Sequence, residues 1–205
     1  MIWSKIRCST IFIVLIILFI TGCAGNRPIP EDPQKVWHER QFILQSIKNW
    51  DLKGRLSIQA IEERKSGSGT LYWSQKNDIY DISWIFPFGQ GKVVLHGDYN
   101  LVTLQLPKEE PVTAASSDHL LQSRLGWSLP IDSLNYWVLG LPAPKLSTKK
   151  LLLDSWGRLE SLHQGNWHIH YQEYKKIKQQ DLPEKIFLNS PQLKVRLVIQ
   201  QWNLG

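Results

Sequence analysis

The chain has 205 residues, a formal charge of +6 and ten tryptophans. That length supports one domain with a sizeable core, and two cysteines are too few for a disulfide-stapled scaffold. Neither basic cluster, Lys149-Lys150 or Lys175-Lys176-x-Lys178, reaches a run of five or six like charges. Solvated turns between strands are therefore their expected setting, ahead of contacts with anionic headgroups or an acidic partner.

At the N-terminus, Lys5 and Arg7 precede an uninterrupted apolar run from Ile11 to Ile20. The run is too short for a bilayer core of about 30 Å, which takes roughly 20 helical residues. A basic start and a short apolar centre describe a secretory signal. The next stretch, Ile20-Thr21-Gly22-Cys23, resembles the lipobox of bacterial lipoproteins. By that resemblance residues 1–22 are a signal peptide, and Cys23 becomes the first mature residue, carrying lipid on its sulfur and amine. Two or more acyl chains anchor stably where one is marginal. Ala24 stands where an Asp would favour retention in the inner membrane, so the outer membrane is the expected address. Loss of Lys5 and Arg7 leaves 22 basic residues against 18 acidic ones, a charge of +4. Cys8 leaves too, so the mature domain rests on packing without a disulfide, and nucleic acid is not an expected partner in that compartment.

Residues 23–33 are rich in Gly, Asn and Pro and read as a flexible tether. From Gln34 to Asn49, Val36, Ile43, Ile47 and Trp50 share the spacing of one helical face. The period then changes to two. Gly54, Leu56, Ile58 and Ala60 alternate with Arg55, Ser57 and Gln59, and residues 62–69 read as a polar turn. Strands follow over 70–75 and 79–86, the second carrying Tyr80, Ile82, Trp84 and Phe86 on one face. Pro87-Phe88-Gly89 interrupts the pattern, and short strands resume over 93–96 and 101–106. Asp118 is a candidate N-cap for a helix with Leu120, Leu121 and Leu125, ended by Gly126. Pro130 and Asp132 open another, with Leu134, Trp137 and Val138 apolar and Gly140 after it. Strands return over 158–163, 167–172 and 193–199, with Gln164-Gly165-Asn166 as a turn. The whole of 34–205 reads as one domain: mainly β with a few helices, a bent antiparallel sheet forming a barrel or half-barrel.

Catalytic equipment is thin. No Gly-x-Ser-x-Gly elbow or phosphate-binding glycine loop occurs, and no thiol survives maturation. His168 and His170 share one face of a strand, with His163 across the hairpin, a spacing that could hold zinc. The alternation sets them opposite Trp167, Ile169 and Tyr171, which favours a solvated face instead. A lipid-cleaving enzyme using those histidines is the weaker reading, and a lipid-binding envelope lipoprotein that scaffolds or senses is another.

Several stretches in order resemble the family of the outer-membrane lipoprotein receptor LolB. They are Asn49-Trp50 followed by Gly54-Arg55-Leu56, Gly69-x-x-x-Trp73-x-Gln75, and Pro87-Phe88-Gly89. The series continues with Leu120 to Gly126, Leu129-Pro130-Ile131, Tyr136 to Pro142, and Gln164-Gly165-Asn166-Trp167-x-Ile169, closing on a basic strand through Trp202. The resemblance implies an unclosed antiparallel β-barrel with a helical lid around an apolar cavity. It implies a receptor without nucleotide or cofactor; a monomer that is not an enzyme and holds no metal is the expectation set beside it. Such a receptor takes acylated lipoproteins from the periplasmic carrier LolA and places them in outer-membrane lipid. Strand parity and helix face nominate Leu56, Ile58, Trp73, Tyr80, Ile82, Trp84, Leu104, Tyr136 and Trp137 for the acyl-chain cavity. The family presents a protruding leucine at the position of Phe88, so Pro87, Phe88 and Gly89 form the expected membrane-insertion loop. Because Cys23 precedes the periodic segments, Cys23→Ala should abolish acyl labelling yet leave the unfolding midpoint of the domain unchanged in urea.

Overall fold

Alternation of apolar and polar residues runs through most of the chain, and the strands it makes pair into one sheet. The computed structural model describes residues 29–205, Glu63 and Tyr99 excepted. The signal peptide, Cys23 and the tether up to residue 28 lie outside the described residues. Helix α1 (Pro33–Ser46) leads into β1 (Asn49–Ala60), β2 (Lys65–Lys76), β3 (Ile79–Ile85), β4 (Lys92–Gly97), β5 (Val102–Gln105) and β6 (Val112–Ala114). Helices α2 (Ser117–Leu125) and α3 (Ile131–Trp137) follow. The chain then returns through β7 (Thr148–Leu153), β8 (Leu159–Gln164), β9 (Trp167–Ile177), β10 (Gln180–Asn189) and β11 (Leu193–Leu204).

The eleven strands lie in the order β6-β5-β4-β3-β2-β1-β11-β10-β9-β8-β7. First and last strands therefore meet at the centre, antiparallel from Trp50 opposite Leu204 to Ala60 opposite Leu193. The free edges are β6 and β7, so the barrel is unclosed, and α2 and α3 are the chain between those edges. One face is largely apolar. Leu52, Leu56 and Ile58 of β1, Trp73 of β2, and Leu193, Val195 and Leu197 of β11 are buried in a single core.

That face must bend round α3, because α3 reaches both halves of the sheet. Across one small cavity, Ile131 and Leu134 face Leu71, Trp73 and Ile82 on one side, and Leu188 and Leu197 on the other. The helix end is fastened by Gln164, whose side chain is fully buried on β8. Its Oε1 accepts from Trp137 Nε1 and from the Ala143 amide, both at 2.8 Å. Its Nε2 donates to the carbonyls of Ala143 and Leu146 and to Thr148 Oγ1, at 2.9–3.1 Å. Tyr171 Oη adds a bond to the Trp137 carbonyl at 3.0 Å.

Several local expectations need correction. Helix α1 buries Trp37, Arg40 and Leu44 rather than Val36 and Ile43, Ile47 lies past its end, and Trp50 belongs to β1. Both faces fit a helical spacing; the indole of Trp37 and the Arg40 guanidinium, which donates to the Asp181 carbonyl at 2.8 Å, select the one used. Asp32 caps this helix by accepting from the Gln34 and Lys35 amides. Residues 65–69 are strand rather than turn. Gly67 and Gly69 are small because Trp84 lies over them: a Cβ would stand 2.9 Å from its ring at Gly67 and 2.8 Å from its Nε1 at Gly69. Ser116, not Asp118, caps α2. Strands β6, β7 and β10 were not expected, since β7 reads Lys-Lys-Leu-Leu-Leu without alternation and β10 carries Pro183 and register shifts. Lys149-Lys150 and Lys175-Lys176 thus lie on strands β7 and β9, not in turns.

Replacing Gln164 by Leu would leave Trp137 Nε1 and the Ala143 and Leu146 backbone groups unpaired inside the core. Each buried unpaired group costs about 1–3 kcal/mol. Gln164→Leu should therefore lower stability by about 3 kcal/mol or more, read as a lower urea midpoint with an unchanged slope.

Candidate functional site

Two features separated along β3 form the site: an aromatic concave face and an exposed tip. On the concave side, β3 presents Tyr80, Ile82 and Trp84, all buried. Trp84 packs on Phe86 with ring centroids 4.5 Å apart. Trp73 stands next along the sheet, its Nε1 donating to Gln75 Oε1 at 3.2 Å and its ring 5.2 Å from that of Trp50. Leu56, Ile58, Leu104 and Trp137 are buried in the same core, and Tyr136 is half-buried at its mouth.

The nine nominated positions therefore share one apolar interior, but only Leu56, Trp73 and Ile82 line a common internal cavity. That cavity measures about 30 Å³. An apolar cavity of about 150 Å³ takes one benzene, so no acyl chain fits this cavity as it stands. Ile131 and Leu134 of α3 occupy the space. Tyr80 and Tyr136 line a second hollow of about 40 Å³ with Asp98 and Asp132. Burial, then the nearby Asp132, pushes the Tyr80 phenol up to about 12, which keeps it neutral. Trp84 Nε1 is buried without a hydrogen-bond partner among the described residues, which is uncommon for an indole so enclosed.

The tip is the turn Pro87–Gly89 between β3 and β4. Phe88 is 97% exposed, so its ring stands out from the sheet rather than tucking onto it. Its backbone sits at φ 56, ψ 32, in the left-handed region. A bulky residue there is an outlier, and nothing packs on it to compensate. The adjoining Gly89 has open space around it.

The histidines lie elsewhere. His163 and His168 stack at 3.8 Å on the outer face, with His170 exposed on the same strand face as His168. Desolvation, then His168 and Lys149, makes His163 lose its proton more readily than a free histidine. Among the described residues no group of three His, Cys, Asp or Glu is placed to hold a metal. Sequence reasoning missed Gln164, treated as a turn residue. Its parity with Leu162 places it on the inward face, and that signal was available.

Comparison with known proteins agrees with this architecture. The family model described as outer membrane lipoprotein LolB matches residues 48–202, from the start of β1 into β11. A protein from Nitrosococcus oceani named outer-membrane lipoprotein LolB is 52% identical over 200 residues, covering 97% of this chain and 98% of that one. Another of that name from Pseudomonas putida strain W619 is 40% identical over 192 residues, covering 91% and 92%. Among solved structures, a LolA superfamily protein from Nitrosomonas europaea aligns with a TM-score of 0.53 at 10% identity, over 86% of this chain and 94% of that one, a likeness of fold. Matched across its whole sheet and sharing half its residues with a relative of nearly equal length, the chain belongs to the LolB family of outer-membrane lipoproteins.

Proposed function

We propose that this protein is a lipid-anchored receptor at the periplasmic face of the outer membrane. It accepts acylated lipoproteins from a LolA-type carrier, holds their chains against the concave face, and releases them into the membrane. The observation that carries the reading is Phe88, an apolar side chain held in solvent at the end of the strand that supplies the aromatic wall. Membership of the LolB family supports it.

The energetics explain the architecture. Burial of acyl chain is worth about 0.8 kcal/mol per CH₂, so three chains of roughly sixteen carbons resist water by about 35 kcal/mol. Such cargo moves only from one apolar surface to another. Its transfer needs no covalent step, only successively better sites for the chains. Because the cavity is small, cargo enters by displacing Ile131 and Leu134 and taking over Leu56, Trp73 and Ile82. The unpartnered Trp84 Nε1 is a donor for the ester or amide carbonyls where the chains join the cargo. Phe88, inserted in lipid, gains roughly 1.5–3 kcal/mol and opens the path outward.

Two outcomes follow. Phe88→Gly relieves the left-handed backbone, so thermal stability should hold or rise by about 1 kcal/mol while delivery to lipid vesicles falls. Phe88→Glu should accept cargo from the carrier and fail to deliver it, whereas Phe88→Leu delivers normally. An unfolded Phe88→Glu, or one that delivers at the native rate, would remove the insertion role. For the wall, a long-chain ligand should change tryptophan fluorescence saturably. Trp84→Phe removes an unpaired buried donor, so it should weaken ligand binding more than it weakens the fold. Core packing alone gives the opposite ranking and no saturable signal.

A further inference from the structure

Charge is unevenly distributed along the chain. Residues 141–205 hold ten basic residues against five acidic ones. Three of those cations have a carboxylate partner: Arg158 with Asp154, Lys185 with Glu173 and Lys145 with Asp132. Lys194 and Arg196 of β11 take no part in an ion pair among the described residues.

The pairing registers show what surrounds them on the outer face. One row across the sheet reads Ser68, Ser57, Arg196, Phe187 and His170. The next reads Ser66, Gln59, Lys194, Asn189 and His168. Neither row contains a carboxylate. Between them lies an open groove of about 550 Å³. Its side chains offer hydroxyls from Ser57 and Ser68, amides from Gln59 and Asn189, and the cations of Lys194 and Arg196. Arg196 also rests over the Phe187 ring at 5.7 Å, which holds the guanidinium against the sheet. Donors and cations without acids are the chemistry that receives phosphate.

The register also fixes how high the groove sits. Thr70 pairs with Ile85 at the end of β3, and β2 continues past that pair through Ser68 and Ser66, so the groove lies at the same end of the sheet as the Phe88 turn. Strands stand about 4.8 Å apart, so β11 lies about 14 Å from β3 across the sheet. With Phe88 inserted in lipid, the groove at that end of the sheet faces the membrane surface, within reach of headgroups.

We propose that this groove is a docking site for phosphate-bearing anionic headgroups of the target membrane, with Lys194 and Arg196 as its cations. The inference rests on the reading that the Phe88 edge faces the membrane. It gives the receptor a second hold on the bilayer, electrostatic where Phe88 is apolar, and aligns the sheet for release. A broad groove of hydroxyls and amides with a single half-buried aromatic suits headgroups better than the apolar centre of a protein interface.

The test uses the anchored full-length protein in phosphatidylethanolamine vesicles with rising phosphatidylglycerol content. A polarity-sensitive dye on Gln192→Cys, in the turn beside the groove, reports headgroup contact. Its signal should saturate with phosphatidylglycerol. Lys194→Gln with Arg196→Gln should weaken that response roughly 30-fold, and added salt should erase it in the native protein. The delivery rate should lose only its phosphatidylglycerol-dependent part, with cargo acceptance unchanged. An undiminished response in the double variant overturns the proposal. Equal saturation by soluble glycerol phosphate overturns membrane docking in favour of a free-phosphate site. Weaker cargo acceptance by the double variant on vesicles lacking phosphatidylglycerol overturns it in favour of an acidic protein partner. Should Phe88→Glu deliver normally while the charge-dependent response persists, the insertion role fails and the groove stands.

Discussion

An open sheet with one largely apolar face has to cover that face, and this requirement governs the rest of the molecule. A closed barrel would cover it with its own strands. Here β6 and β7 remain apart, and the chain between them, α2 and α3, shares in the covering, with α3 over the centre. Ile131 and Leu134 pack against Leu71, Trp73 and Ile82, the surface proposed to take the acyl chains. Helix and cargo are thus alternatives for one surface. Exchange between them changes little exposed apolar area, which allows a carrier of very apolar molecules to stay folded and present a polar exterior between rounds of transfer.

The helix is fastened unequally. At its C-terminal end, Gln164 and Tyr171 bind Trp137 and the segment after it through a closed set of hydrogen bonds. At its N-terminal end Pro130 supplies no side-chain cap, and the contacts are apolar apart from an exposed ion pair of Asp132 with Lys145 at 3.9 Å. Gly126, at φ 83, separates it from α2. Apolar contacts tolerate exchange for acyl chain, whereas buried hydrogen bonds do not. Opening at the Ile131 end with Trp137 as the pivot follows from that difference. The long β1–β11 pairing, by contrast, ties both halves of the sheet and has no reason to move.

Much of this was legible in the residues. Strands with clean alternation, such as Tyr80, Ile82 and Trp84 of β3, declared their inward face. The ordered motifs identified the family and, through it, the unclosed barrel. Phe88 drew attention because an aromatic residue between Pro87 and Gly89 defies turn chemistry. What stayed hidden depended on tertiary context. The edge strand β7 is mostly exposed and lacks alternation, and β10 is broken by Pro183 and its shifts of register. The choice of the Trp37 face on α1 depended on what that helix meets. Gln164 looked like a turn residue because its hydrogen bonds all go to segments distant in sequence. That the nominated cavity is closed could not be read from parity, which gives the direction of a side chain and not its occupant.

The proposed function requires α3 to hold the acyl-binding surface when no cargo does. Amide hydrogen exchange, with and without a bound acylated lipoprotein, tests this most directly. Cargo should lower protection across 117–137, most at the Ile131 end, while the β1–β11 amides keep theirs. Undisturbed protection in α3 at saturating cargo, or loss of protection along β1 and β11 instead, would contradict it.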